Sequence, residues 1–224
     1  MVRSPKPLAR RPGSPSPSPR RRRPPEQARR EILDAVERVV AEHQPDQVGL
    51  KEVAAEAGVS HALITHYFGT YAGLLEAALE RRLSTVRELL INRLHENHAL
   101  TSPKELLGVL FRTLDDPVHL RLTRWLLTSE RPAAAHAFGL QRRGLAVLAE
   151  QVARALVGEP DRTLIKELEV TMVTAVSAAY GYAITKHALA GALGREPSRE
   201  LDEQVHQTLA AMVEAHMRTR LPGR

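Results

Sequence analysis

No cysteine occurs anywhere in the chain. Disulfides and thiolate chemistry are therefore excluded, as suits a reducing cytoplasm, and a cytoplasmic location is expected. No apolar run is long enough to suggest a membrane span: the longest uncharged stretch, residues 170–185, also contains Thr, Ser, Tyr and Gly, and reads as a buried central helix. The N-terminus carries arginines without an apolar signal core, so no secretion signal is expected. Period-two alternation and internal repeats are both missing. So are a glycine-rich phosphate loop, a serine-nucleophile motif and a paired-acid context, which gives catalysis no support and points to no cofactor. Aromatic residues make up only 4% of the chain.

What is there is helix and unevenly spread charge. The net charge of +6 conceals an asymmetry, because residues 1–25 hold Arg3, Lys6, Arg10, Arg11, Arg20, Arg21, Arg22 and Arg23 and no acid. The remainder is slightly acidic. That first stretch is rich in Pro, Ser and Arg, cannot bury apolar surface, and is expected to be a disordered basic arm. It reads either as a solubilising tail or as an arm that follows phosphates or enters a minor groove. Residues 26–56 set Arg29, Arg30, Arg38 and Lys51 against eight acids, so this stretch is net acidic.

From Gln27 onward the pattern is helical. Ile32, Val36, Val39 and Val40 mark a first helix ending before Pro45. A second runs over 51–57 and a third over 60–67. Leu75, Leu79, Leu83, Val86, Leu90 and Leu94 form a long stripe on a fourth. Ser102-Pro103-Lys104-Glu105 is a capping box with proline at the first helical position. Pro117, Pro132 and Pro160 punctuate further helices, and the last two span about 161–193 and 198–217. The final one places Leu201, Val205, Leu209, Met212, Val213 and His216 on one face.

Residues 50–75, LKEVAAEAGVSHALITHYFGTYAGLL, carry the most information. An apolar helix runs into Ala57-Gly58-Val59-Ser60 and a second short helix follows at once, which is the sequence form of a helix-turn-helix. Gly58 stands where the first helix must end. Ser60 is a good N-cap for the next. Val53, Ala54, Ala57, Leu63 and Ile64 are spaced to share a buried face, leaving His61, Ala62, Thr65 and His66 exposed. The histidines and Thr65 can hydrogen-bond phosphates or base edges, and Ala62 can meet a thymine methyl. Tyr67 and Tyr71 can donate hydroxyls to phosphates. With Lys51, Ser60 and the arm residues Arg20, Arg21, Arg22 and Arg23, these are the candidate DNA contacts.

Residues 27–79 resemble the N-terminal DNA-binding domain of the TetR family of bacterial transcriptional repressors. The AGVS turn, the His66-Tyr67-Phe68 end of the reading helix and Leu74-Leu75 carry the resemblance. It implies an all-α fold: an N-terminal helix-turn-helix domain over 26–86, with the motif at about 49–68, followed by a helical ligand-binding and dimerisation bundle over 87–224. It further implies a homodimer that represses transcription from a near-palindromic operator and lets go when a small molecule binds the C-terminal domain. Two reading helices would then sit roughly 34–36 Å apart, one turn of DNA. Three positions depart from the pattern. Thr65 stands where the family often has tyrosine, Tyr71 where it usually has lysine, and Gly73 where it often has an acid. The missing tyrosine and lysine leave open an alternative, a helical protein-interaction module that keeps the fold without reading an operator.

Phe111, His119, Trp125, Phe138, Tyr180 and Tyr182 are candidates to line an effector pocket, since aromatics with polar tips suit such cavities, or else ordinary core. Ala175, Ala178, Ala179, Gly181 and Ala183 thin the penultimate helix and suggest a dimer interface of two helices from each chain. His95 and His98 lie three apart on a helix without a third ligand, so no metal site is expected.

Overall fold

The computed structural model describes residues 24–97, 102–129 and 144–220, and among them the fold is nine α-helices and one 3-10 turn, with no strand. The basic arm with Arg20, Arg21, Arg22 and Arg23 lies outside the described residues, as do Pro132, Phe138 and His98.

Helix α1 (Pro25–Glu42) has proline at its first position and buries Ile32, Leu33, Val36 and Val40. A 3-10 turn (Pro45–Gln47) leads to α2 (Leu50–Ala57), where the Glu52 carboxylate reaches back 2.9 Å to accept from the Gly49 N–H. This satisfies one of the donors that a helix start leaves open, and the backbone N–H of Glu52 itself, together with that of Gly49, holds the Glu52 carboxyl below its ordinary range. Gly58 ends α2 in the left-handed conformation, φ 61°. Helix α3 (His61–Phe68) starts under a Ser60 cap, whose Oγ accepts from the Leu63 N–H at 3.2 Å. A Cβ added at Gly58 meets no atom within 4 Å, so the cost of a side chain there is conformational alone. Gly58→Ala is expected to lower stability by about 1 kcal/mol and Gly58→Asn by less, as read from urea unfolding.

Helix α4 (Tyr71–Asn97) starts at a tight turn. The Gly73 N–H donates to Thr70 Oγ1 at 3.0 Å, so half of a capping box is present. A Cβ at Gly73 would lie 2.4 Å from the Phe68 carbonyl oxygen. That atom is backbone and cannot swing aside, so any side chain at position 73 would force this turn to shift.

Helices α5 (Pro103–Leu114) and α6 (Pro117–Thr128) start with proline under Ser102 and Asp116 caps. They are followed by α7 (Gly144–Val157), α8 (Arg162–Ala192) and α9 (Arg199–Arg220). One apolar core joins α1 to α4 with α6: Ile32, Val36, Val53, Ile64, Leu74 and Leu79 pack with Val118, Leu122 and Leu126. A second, around Leu148, Val152, Leu168 and Met217, joins α7, α8 and α9. A third places Leu107 of α5 against Ala175 of α8 and Ala210 of α9.

Two expectations need correction. The uncharged run 170–185 lies in α8 but is not wholly buried. Ala175 and Ala179 face inward, while Val170 and Val173 are 67% and 51% exposed. The helix is apolar on two sides, and among the described residues one of them has no cover. In α9, Leu201 is buried as expected, but Met212 is 64% exposed and His216 also faces out, while Ala210 and Met217 supply the inner face. No helix of the described residues is long and apolar enough to cross a membrane.

Candidate nucleic-acid interface and internal cavity

The α2–turn–α3 unit presents the face read from the sequence. Val53, Ala54 and Ile64 are buried, Ala57 and Leu63 are half-buried, and His61, Ala62, Thr65 and His66 are exposed side by side along α3. Thr65 bonds back to the His61 carbonyl at 3.1 Å. The His66 ring meets Tyr67 edge-on with centroids 5.3 Å apart. Lys51 is exposed on α2, Ser60 is committed to capping α3, and Tyr67 is half-buried. Tyr71 is also half-buried, and its hydroxyl donates to the Pro45 carbonyl at 3.1 Å. Burial, with Asp46 and Glu52 nearby, pushes that hydroxyl up to about 12. Tyr71 therefore ties the start of α4 to the 3-10 turn, where a lysine would reach outward. One cation missed by sequence reasoning is Arg29 on α1, whose guanidinium sits 5.4 Å over the Phe68 ring at the end of α3. Nothing in the spacing of α1 marks it, because the contact closes only when α1 folds against α3.

Behind this head lies a cavity of about 650 Å³ among α4, α5, α7, α8 and α9. Leucine, valine, alanine and methionine make most of its wall, including Leu83, Val86, Leu90, Leu106, Leu148 and Met172. Its size falls in the usual range for small-molecule sites. Of the aromatic and histidine candidates that are described, Tyr180 lines it. His119 stands behind Tyr180, fully buried, with Nε2 2.7 Å from the Tyr180 hydroxyl. Burial, reinforced by the Arg82 charge, pushes the His119 imidazole down to about 4, and burial pushes the Tyr180 hydroxyl up to about 12. Both groups are thus neutral near pH 7. His119 Nδ1 has no hydrogen-bond partner among the described residues.

The remaining candidates serve joints between helices. Phe111 stacks on His206 with ring centroids 4.9 Å apart, joining α5 to α9. The Tyr182 hydroxyl donates to Asp202 at 2.8 Å, joining α8 to α9. Trp125 packs on the N-terminal core, and its indole N–H donates to Asp46 at 2.9 Å. The cavity wall is mostly aliphatic, a signal that a search for aromatics passes over. The stripe of α4 is what could have found it, since Leu75 and Leu79 enter the N-terminal core while Leu83, Val86 and Leu90 line the cavity.

Polar ties connect the head with α6. Arg82 bridges Glu37 of α1, at 2.5 Å, and Asp116 at the start of α6. Arg81 pairs with Asp34 at 2.6 Å and Glu37 at 2.5 Å. Arg121 of α6 donates to the Val40 and Ala41 carbonyls at 2.7 and 2.6 Å. These belong to the final turn of α1, where carbonyls have no helical partner and a cation is favoured.

Residues 32–78 match the family described as bacterial regulatory proteins, tetR family. Over 67 residues the chain is 37% identical to the HTH-type transcriptional regulator BetI of Escherichia coli, a match that takes in 30% of this chain and 34% of BetI. The chain thus covers about a third of the length of the curated relatives it matches. The fold extends further. A TetR-family transcriptional regulator of Mesorhizobium loti superposes with a TM-score of 0.66 at 16% identity, covering 87% of this chain and 96% of that one. The fatty acid degradation regulator FadR of Bacillus halodurans superposes with a TM-score of 0.54 at 19% identity, covering 81% and 97%. Over residues 32–78 the chain is thus similar in sequence to the tetR family of bacterial regulatory proteins, and the described helices share the fold of solved TetR-family regulators.

Proposed function

We propose that the chain is a homodimeric, sequence-specific DNA-binding regulator that represses transcription and is released from its operator by a small molecule held in the cavity. The observation that carries this is the open face of α3, with His61, Ala62, Thr65 and His66 exposed on a helix fixed by the Gly58 turn and the Ser60 cap. Such a helix enters a major groove by its N-terminal residues. Its lack of Lys and Arg leaves affinity to phosphate contacts elsewhere, for which Lys51, Arg29 and the basic arm are available. The sequence of BetI, a transcriptional regulator, supports the same reading for the head.

The uncovered apolar side of α8 supports the dimer. Val170, Val173, Leu189 and Leu193 lie 48–67% exposed on or just past that helix, and Met212 of α9 is 64% exposed. Apolar surface of this kind marks an interaction site, and two helices from each of two copies would cover it as a four-helix bundle.

Helix α4 is the lever in this reading, because it lines the cavity with one stretch and enters the head's core with another. Release of DNA requires that the effector bind the DNA-fitting and the DNA-refusing states unequally. A gel-shift assay with the DNA upstream of the chain's own gene, alongside the mass of the protein in solution, tests the proposal. A dimer that retards this DNA against unrelated competitor is the expected result. A monomer, or one indifferent to sequence, would overturn it in favour of a protein-interaction module.

A further inference from the structure

We infer that the cavity takes an aliphatic carboxylate and that Arg87 receives its head group, an assignment that rests on the cavity being the effector site. Arg87 lies on α4 between Leu83 and Leu90, one turn from each, and lines the cavity with them. Its neighbours Arg81 and Arg82 are each held by carboxylates of α1. Arg87 is not: its contact is the Ser84 hydroxyl at 3.5 Å, and no acid pairs with it among the described residues. Among the described residues the other charges on the wall are Glu214 and Arg218, which pair with each other at 2.6 Å with side chains 51% and 74% exposed. Among the described residues the wall therefore holds one positive charge without an acid partner, Arg87, in an aliphatic lining.

Each alternative ligand class meets an obstacle. A cationic amphiphile would face Arg87, with Glu214 already engaged. A neutral lipophile filling the cavity would strip water from the guanidinium and offer nothing in return. An anion answers the charge, and the planar fork of arginine matches a carboxylate in two-point contact. The aliphatic wall then takes a hydrocarbon tail, with the flexible Met172 and Met217 able to adapt to its course.

Isothermal titration of the full chain with decanoate, dodecanoate and tetradecanoate, each below its micelle concentration, tests the assignment. Affinity is expected to rise about fourfold per added methylene until the cavity is full. Dodecanoate should bind at least about tenfold more tightly than dodecanol or dodecylamine. Arg87→Gln should bring dodecanoate down to the level of dodecanol, and Arg87→Lys should keep most of the preference, with thermal unfolding reporting that both variants are folded. Equal binding of the acid, alcohol and amine would overturn the assignment, as would a preference that survives in Arg87→Gln. Operator binding on the same samples separates this inference from the one beneath it. Carboxylates that bind while leaving the DNA complex intact support the ligand class and overturn its role as effector. A chain that grips DNA but binds no probe overturns the ligand class and leaves the regulator standing.

Discussion

A chain lacking residues 1–23 is expected to bind its operator weakly and with little response to salt. The exposed face of α3 carries no Lys or Arg, and the head as a whole is rich in acids. Arg38 is drawn to Glu56 at 2.5 Å, and Arg81 and Arg82 are engaged with α1 carboxylates. Few cations of the folded part are left to meet phosphates. The N-terminal arm holds eight positive charges and no acid. Each phosphate neutralised by a protein cation releases condensed counterions and steepens the fall of affinity with salt. If about half of the cations on the two arms of a dimer engage phosphates, the slope of log K against log salt is steeper by about seven, and affinity falls about 10⁴-fold more between 50 and 200 mM salt than for the truncated chain. The truncation stops before Pro24, the residue preceding α1, and so spares every described helix. Fluorescence anisotropy with labelled operator across a salt series reads the difference. Equal slopes for the two chains would show that the arm makes no phosphate contacts.

The second large effect concerns acid. His119 is fully buried beside Tyr180, and its imidazole is pushed down to about 4, chiefly by burial and then by the Arg82 charge, with Asp116 opposing. In the unfolded chain the same group takes a proton near its ordinary value of 6.5. The unfolded state thus binds the proton first as pH falls. The stabilisation is complete above about pH 6.5, declines between 6.5 and 4, and levels off below that. Over the whole window the loss is about 3 kcal/mol, of which about 2 kcal/mol falls between pH 7 and 5. Urea unfolding of the wild type and of His119→Leu at pH 7, 6 and 5 isolates the contribution, since the leucine variant should lose most of the slope over this range. An unchanged slope would mean that His119 does not govern it. The effect bears on function because His119 links α6, which is embedded in the core of the head, to Tyr180 on the cavity wall.

The helix-turn-helix was legible because its signals are local. Gly58, Ser60 and the apolar spacing from Val53 to Ile64 act within a dozen residues, and backbone conformation, cap and buried face all follow from that stretch alone. The starts of α5, α6 and α8 were legible for the same reason, from Ser102-Pro103, Pro117 and Pro160, and the structure adds Asp116 and Asp161 as caps of the latter two. Tyr71 shows where such reading stops. Its hydroxyl could be assigned to phosphate from its place in the chain, but its partner is Pro45, 26 residues away, and only the fold brings the two together. The cavity is harder still, since its wall comes from five helices spread over α4 to α9 and no single stretch encodes it. Aromatic residues looked like markers because they are few, yet Phe111, Trp125 and Tyr182 make joints between helices. Leucines that looked like ordinary core, such as Leu83 and Leu90, line the cavity. The unpaired state of Arg87 could not be read from sequence, which does not show which of three nearby arginines the acids of α1 will reach.

The seating of α6 against α1 sets a rule for building hybrids. Val118, Leu122 and Leu126 complete the core of the head, and Arg121 closes the carbonyl end of α1. A foreign reading head spliced on at the middle of α4 would meet Val118, Leu122, Leu126 and Arg121 of α6 with a core surface and a carbonyl end not shaped for them. Swaps that carry the matching α6 surface along with residues 25–79 should yield working chimaeras, and those that exchange the contiguous N-terminal segment alone should yield misfolded ones.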